Sequence, residues 1–373
     1  LKQDIHFFGN QLPSSRKDED ILANVRTTLR QLWRDWSEAG QKERQEAYGP
    51  VIRALEEEHL KTEHTADLRI RRHGSQSNSM ASLSGSLSSL KSDESSESDD
   101  ETTFSPRVLV PGAGLCRLAF DLHNSGAGFD VEANELSYHH LIAIYWLSHA
   151  VNDGTEYTLY PWVSQFSNQM DSTRQFQGYN VPKGPMLSHK LKYVVDDTGL
   201  SLKGSDNSGT WNGTPNFTIT THDFHLYREP QYAKSFDAVA TVFFVDTAPN
   251  IRDYITIINH VLPVGGLWVN NGPLLWNCWE NGPPARGEGD PEDNEAARGR
   301  HGLNLTEENK EFTGKVELSW EELLYYIEHM GFKVEKQDAS KTSGYILDEE
   351  SMLHSNYRLG FFKARKVVDL QAD

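Results

Sequence analysis

The sequence predicts an α/β fold: a doubly wound, mostly parallel sheet with an antiparallel edge strand, preceded by an N-terminal helical extension. Three observations predict it. From residue 106 onward, apolar runs of strand length alternate with segments of helical period. The first run, Val108-Leu-Val-Pro, ends in Gly112-Ala-Gly114 and a helical pattern follows, which sets a helix start beside the carboxyl end of a strand. The last two strand candidates form a closing pair with no helix between them, the pattern of an antiparallel edge.

Residues 1–71 form the helical extension. Between Asp18 and Leu60, the residues Leu22, Val25, Leu29, Leu32 and Trp36 recur at steps of three and four, which predicts one apolar face. Gly40 and the Gly49-Pro50 pair break the pattern into two or three helices. Residues 72–105 read as a disordered linker. Ser75 to Lys91 is serine-rich and Ser92 to Glu101 is a run of Ser, Asp and Glu, too poor in apolar surface to offset the entropy of ordering.

Residues 106–373 form the α/β domain. A strand at Arg107–Pro111 leads to a helix at Leu115–Asn124, a strand at Phe129–Glu135 and a helix at Tyr138–His149. Asp153 to Pro215 reads as an irregular insertion, placed to cover a ligand pocket at the carboxyl edge of the sheet. Strands follow at Phe217–Thr221 and Ala238–Val245. The second is almost continuously apolar, as befits a strand buried on both faces. After a helix at Asn250–His260, Gly265-Gly266 leads into a strand at Leu267–Asn271. A polar insertion spans residues 280–315. Ser319-Trp-Glu-Glu322 then matches a capping box, opening a helix that ends near Met330 with Gly331 at its C-terminus. Phe332–Lys336 and Tyr357–Arg365 are the closing strands.

Composition narrows the ligand class. The 373 residues carry 54 acidic against 36 basic side chains, a net charge of −18. That balance disfavours a nucleic-acid backbone and an anionic membrane surface, and suits a small cationic or zwitterionic ligand. No apolar run reaches the length of a membrane span, and Leu1 to Asn10 has no secretory pattern. The two cysteines, Cys116 and Cys278, match no metal spacing and no disulfide framework. A reducing compartment and no bound metal are the expectation.

The glycine turn marks a cofactor site. Gly112 and Gly114 let the backbone approach a ligand at the end of the first strand. A dinucleotide fingerprint would need a third glycine where Arg117 stands, which argues against a pyrophosphate. Glu135 ends the second strand, about 20 residues on, where a carboxylate can accept both ribose hydroxyls. Asp223-Phe224 follows the third strand, an acid for an adenine amino group beside a ring that packs on the base. This order of groups points to S-adenosylmethionine as the cofactor, with S-adenosylhomocysteine as its product. Asp246 follows Phe243-Phe244 at the sheet edge where a methyl acceptor belongs. A carboxylate there can accept an N–H of that acceptor; the alternative role is a helix N-cap.

Longer segments carry a resemblance. Arg30-Gln-Leu-Trp-Arg-Asp-Trp-Ser37, Val108-Leu-Val-Pro-Gly-Ala-Gly-Leu115, Asn134-Glu-Leu-Ser137, Asp223-Phe224, Phe243-Phe-Val-Asp-Thr-Ala248 and Gly265-Gly-Leu-Trp-Val-Asn-Asn-Gly-Pro-Leu-Leu275 resemble the carnosine N-methyltransferase family. The resemblance covers nearly the whole chain outside the two polar segments. It implies a Rossmann-like class I methyltransferase that methylates an imidazole nitrogen of carnosine, giving anserine. By it, Gln31 and Arg34 reach from the N-terminal helices to the cofactor carboxylate, although both fall off the Leu22/Leu29/Trp36 face and would otherwise read as exposed. Gly112, Gly114, Glu135, Asp223 and Phe224 complete the cofactor set. Phe243, Asp246, Asn277 and Tyr357 form the acceptor side. Asp246, Asn277 and Tyr357 are the expected catalytic residues.

The chain departs from the family pattern at three places. Asn277 stands where the family has a histidine, Cys116 where a glycine is usual, and Ser355-Asn356 replace aromatics. A protein-histidine methyltransferase, or a cofactor-binding regulatory protein with a degenerate substrate site, therefore stay open beside the dipeptide reading. The expected partners are a small-molecule dipeptide and, at most, a second copy of the chain in a homodimer, with neither nucleic acid nor membrane. The expected localisation is the cytoplasm, with the nucleus as a second compartment.

Overall fold

The computed structural model describes residues 18–61, 105–150, 157–165, 167–181, 191–196, 199–204, 217–276 and 316–370. Asn277, Cys278, the 280–315 insertion and all but the end of the 72–105 linker lie outside them. Three helices open the chain: α1 (Asp18–Trp36), α2 (Gln41–Ala47) and α3 (residues 49–61). Then come β1 (Arg107–Pro111), α4 (Arg117–His123), β2 (Asp130–Asn134) and α5 (Tyr138–Ala150). Four short strands follow: β3 (Tyr157–Leu159), β4 (Tyr179–Val181), β5 (Leu191–Asp196) and β6 (Gly199–Gly204). The chain continues through β7 (Phe217–Thr220), β8 (Ala238–Val242), α6 (Ile251–Val261), β9 (Leu267–Gly272) and α7 (Trp320–His329). It closes with β10 (Phe332–Asp338), β11 (Thr342–Ser343), β12 (Tyr357–Arg358) and β13 (Gly360–Lys366).

The main sheet has nine strands in the order β10-β13-β9-β8-β1-β2-β7-β6-β5. The run from β9 to β7 is parallel, and β13 lies antiparallel between β9 and β10. Chain order therefore reverses between β1 and β8, and the crevice of a doubly wound sheet opens above such a reversal. Alternation along the strands builds two cores. Val108 and Val110 of β1 face the side of α4 and α5, whereas Leu109 faces the side of α6 and α7.

Three sequence expectations change. The 153–215 insertion is not irregular throughout: β3 pairs with β4, and the β5–β6 hairpin extends the main sheet beyond β7. Tyr193-Val-Val195 and Leu200-Ser-Leu202 are short β-prone runs, and their partner is a distant sheet edge that local pattern does not reveal. The β8 strand stops at Val242, because Phe243 turns to φ +51° and Val245–Thr247 forms a 3-10 turn. The apolar face of α1 is buried only in its second half. Leu32 and Trp36 are core residues, whereas Leu22 and Val25 stay 48% and 40% exposed. Helical period predicts a face, but only the length that meets a partner is covered.

The N-terminal helices are tied to the sheet by polar links. Trp36 donates its indole N–H to the Leu115 carbonyl at 3.2 Å, and Asn271 of β9 donates to the Ala47 carbonyl at 2.8 Å. Arg44 donates to the carbonyls of Arg34 and Ser37, closing the turn between α1 and α2. Gly40 makes that turn fit. A Cβ there would come within 2.3 Å of the Arg34 carbonyl and 2.5 Å of the Trp33 carbonyl, both backbone atoms. Among the described residues no helix is long and apolar enough to cross a membrane. Gly40→Ala should cost about 2–3 kcal/mol by forcing the α1–α2 turn apart. A urea midpoint within error of wild type would contradict that close fit.

Candidate active site

The carboxyl ends of β1, β2, β7 and β8 each deliver a group to one cavity of about 280 Å³, near the lower limit for small-molecule sites. After β1 come Gly112 and Gly114, both at positive φ (+62° and +55°), where only glycine is unstrained. A Cβ on Gly112 would strike the Phe244 ring, and one on Gly114 would meet nothing within 4 Å, so the cradle beside Gly114 is open. Cys116 also adopts positive φ, +60°, at the position where the family pattern has glycine.

After β2 comes Glu135, only 8% exposed. Its Oε2 accepts the Gly114 N–H at 2.7 Å and its Oε1 accepts the Ser137 N–H at 2.7 Å. His140 Nδ1, one turn into α5, lies 3.5 Å from Oε1. Burial alone would raise the Glu135 carboxyl. The facing His140 and the two backbone N–H groups outweigh it and hold the carboxyl below the ordinary glutamate range.

After β7 comes Asp223, whose Oδ1 accepts the His225 backbone N–H at 2.8 Å and lies 2.7 Å from His225 Nδ1. Phe224 is buried edge-on against Phe244 and Tyr254. After β8 comes Phe243, with its ring 4.9 Å from that of Tyr345.

The fourth wall is α1. Gln31 and Arg34 are 6% and 5% exposed, so the exposed-helix reading does not hold. Arg34 gives Nε and Nη2 to the Asp35 carboxylate at 2.7 and 3.0 Å, and Tyr48 donates its hydroxyl to the same carboxylate. Gln31 donates Nε2 to the Tyr345 hydroxyl at 3.1 Å. What remains is Gln31 Oε1 and Arg34 Nη1, both buried without a hydrogen bond among the described residues. One is an acceptor and the other a cationic donor, and both residues line the cavity. Other buried atoms also lack a hydrogen bond among the described residues, Trp162 Nε1 and the Gln169 amide among them; the Gln31 and Arg34 atoms belong to residues that line the cavity, where a ligand can complete the pairing.

The acceptor side is arranged differently from the expectation. Asp246 is 4% exposed, and its Oδ2 accepts the Leu275 N–H at 2.9 Å. Phe244 and Thr247 on either side line the cavity, but the Asp246 carboxylate does not. Burial raises its pKa, and no ion pair to it exists among the described residues. The Leu275 contact brings Asp246 within two residues of Asn277, which lies outside the described residues. Tyr357 sits in β12 opposite Ser343 of β11 and does not line the cavity. The tyrosines that do are Tyr48, Tyr254 and Tyr345, the last on the connection after β11. No described residue between 157 and 204 lines the cavity. That insertion packs against the other side of α1, where Trp162 meets Trp33 and Gln165 accepts from Arg30.

Sequence reasoning missed Tyr48, His140 and Tyr345. His140 carried a weak signal, two residues into a helix that follows a strand end. The other two carried none, because each reaches the cavity from a connection far away in sequence. Among the described residues, no group of three or more His, Cys, Asp or Glu could hold a metal ion.

The folded-state pKa of Glu135 lies below its unfolded value. Its contribution to stability is therefore complete above the ordinary glutamate range and is lost as pH falls through the folded value. Glu135→Gln presents an N–H₂ to one of two N–H groups and should cost about 2 kcal/mol at pH 7. In urea titrations the gap to wild type should narrow below about pH 4. A gap independent of pH would show that charge is not what Glu135 supplies.

Comparison with known proteins adds the lineage. The family model for carnosine N-methyltransferase matches residues 12–75 and 79–368. A carnosine N-methyltransferase of Schizosaccharomyces pombe is 29% identical over 347 residues, covering 93% of this chain and 71% of its own length. One from Mus musculus is 29% identical over 359 residues, covering 96% of this chain and 66% of its own. The Drosophila melanogaster protein is 27% identical, with 92% and 56% covered. This chain thus spans between about half and under three quarters of these relatives. Among solved structures, an arsenic(III) S-adenosylmethionine methyltransferase from Chlamydomonas reinhardtii aligns at 15% identity and a TM-score of 0.31, over 70% of this chain and 64% of that one. With almost all of its length matched by one family model, the chain belongs to the carnosine N-methyltransferase family.

Proposed function

We propose that this chain transfers a methyl group from S-adenosylmethionine to an imidazole nitrogen of carnosine, giving anserine, or of a related histidine-containing peptide. The observation that carries this reading is the pair of orphaned buried atoms on α1 facing the row of groups after the strand ends. The residues suit the donor from end to end. Gln31 Oε1 is an acceptor for its ammonium and Arg34 Nη1 a donor for its carboxylate. Glu135 keeps lone pairs on both oxygens for the ribose hydroxyls. Asp223 is the acceptor for the adenine amino group, Phe224 packs on the base, and Gly112 and Gly114 let the backbone close in.

When bound, S-adenosylmethionine supplies a methyl group on a positively charged sulfur. Asp246 has the complementary task on the acceptor side. A buried carboxylate with no ion pair among the described residues is matched to an N–H donor, and accepting a ring N–H would leave the other nitrogen's lone pair free to take the methyl group. Methyl transfer to the ring would leave positive charge on the imidazole. The Asp246 carboxylate stabilises it and holds the ring proton that is finally lost. Phe243, Tyr357 and Asn277 complete the acceptor side in this reading. Orientation and exclusion of water supply most of the acceleration, since no covalent enzyme intermediate is required.

Pure protein incubated with S-adenosylmethionine and carnosine should produce dipeptide heavier by one methyl group, and Asp246→Ala should abolish it. No mass gain at high enzyme concentration would defeat the carnosine reading. Asp246→Asn should separate function from stability. It removes a buried unpaired charge while keeping an acceptor for Leu275, so melting should indicate a gain of about 1 kcal/mol. The initial rate should drop by about 10². A variant less stable than wild type would mean that the charge has a partner in the free protein.

A further inference from the structure

Glu43 belongs to α2, outside the cavity lining, yet it is 7% exposed. Its Oε1 accepts the Ile346 N–H at 2.6 Å and its Oε2 the Leu347 N–H at 3.2 Å. These two N–H groups follow Tyr345 directly, and Ile346 sits at φ +49°, a conformation strained for a β-branched residue. Burial pushes the Glu43 carboxyl above its usual range, and the charge of Arg34 together with the two N–H groups opposes that push. A charged side chain in such a place acts on the turn it grips. The turn sets the Tyr345 hydroxyl as acceptor for Gln31 Nε2, and the Tyr345 ring lies against Phe243 and 5.4 Å from the Arg34 guanidinium.

The geometry points to Glu43 as a positioning residue for the cofactor's amino-acid end: it clamps the turn after Tyr345, Tyr345 orients the Gln31 amide, and Gln31 Oε1 is thereby aimed into the cavity. The chain of contacts is continuous, from carboxylate to backbone N–H pair to hydroxyl to amide. An amide can present oxygen or N–H₂ to a ligand, and a phenol hydroxyl can accept or donate. In the arrangement observed Tyr345 accepts from the Gln31 N–H₂, and the amide oxygen is the atom left for the ligand. Glu43→Gln breaks the clamp, because an amide offers one acceptor where two N–H groups need two.

This inference rests on the proposed cofactor reading, and a double-mutant cycle on S-adenosylhomocysteine affinity, read by titration calorimetry, tests it separately. Glu43→Gln and Tyr345→Phe should each weaken binding about tenfold. The double variant should be no weaker than the weaker single variant, since both cut one chain of contacts. Multiplying effects, about a hundredfold in the double variant, would overturn the link. So would a Glu43→Gln protein that melts lower but binds within about twofold of wild type. Should Glu43→Gln fail to fold, Glu43→Asp keeps the charge, shortens the reach and enters the same cycle. Wild-type protein that gives no heat with S-adenosylhomocysteine overturns the cofactor reading itself and this link with it.

Discussion

Glu135 accepts the Gly114 N–H with one oxygen and the Ser137 N–H with the other, and this pair of bonds sets the gap between the ends of β1 and β2. Gly114 sits there at positive φ, a conformation that a side chain would strain, with open space where its Cβ would be. Ser137 can stand there because α5 begins directly after it. The parallel pairing of β1 with β2, from Arg107–Asp130 to Pro111–Asn134, delivers both ends at the same height. A carboxylate buried at this junction cannot turn away without stranding two N–H groups, so the floor of the cavity is rigid before any ligand arrives.

The opposite wall is built on a different principle. Arg34 is buried between the Asp35 carboxylate and the rings of Tyr48 and Tyr345, with Glu43 nearby. Asp35 takes the Nε–Nη2 edge of the guanidinium, and Nη1 is left over. Buried ion pairs add little net stability, but they fix direction, since moving either partner leaves a charge unmatched. The N-terminal helices thus present a charge of fixed orientation to a sheet whose strand ends supply acceptors and glycines. Neither half forms a closed site alone.

Much of this was legible in the primary structure. Gly112, Gly114, Glu135, Asp223 and Phe224 each stand at or just after a strand end, so recognising the strands located them; Phe243, read as part of its strand, was assigned by family resemblance. Gln31 and Arg34 were assigned by family resemblance, because their helical positions look exposed until the sheet is placed against α1. Tyr345 gave no signal: its turn is held by Glu43, some 300 positions away in the chain. Tyr357 had a family argument and lies on the strand beside that turn, off the cavity lining.

By itself the sequence determined the alternation of strands and helices and the groups at the carboxyl edge of the sheet. These depend on periods of two and of about four residues and on glycine's freedom at positive φ, all of which are local. Tertiary structure alone decided which half of the α1 face is buried, that residues 191–204 extend the sheet, and that Asp246 accepts the Leu275 N–H. Those outcomes hang on contacts between segments remote in the chain. Burial and hydrogen-bond pairing there are settled by which surfaces meet, and no local pattern records that.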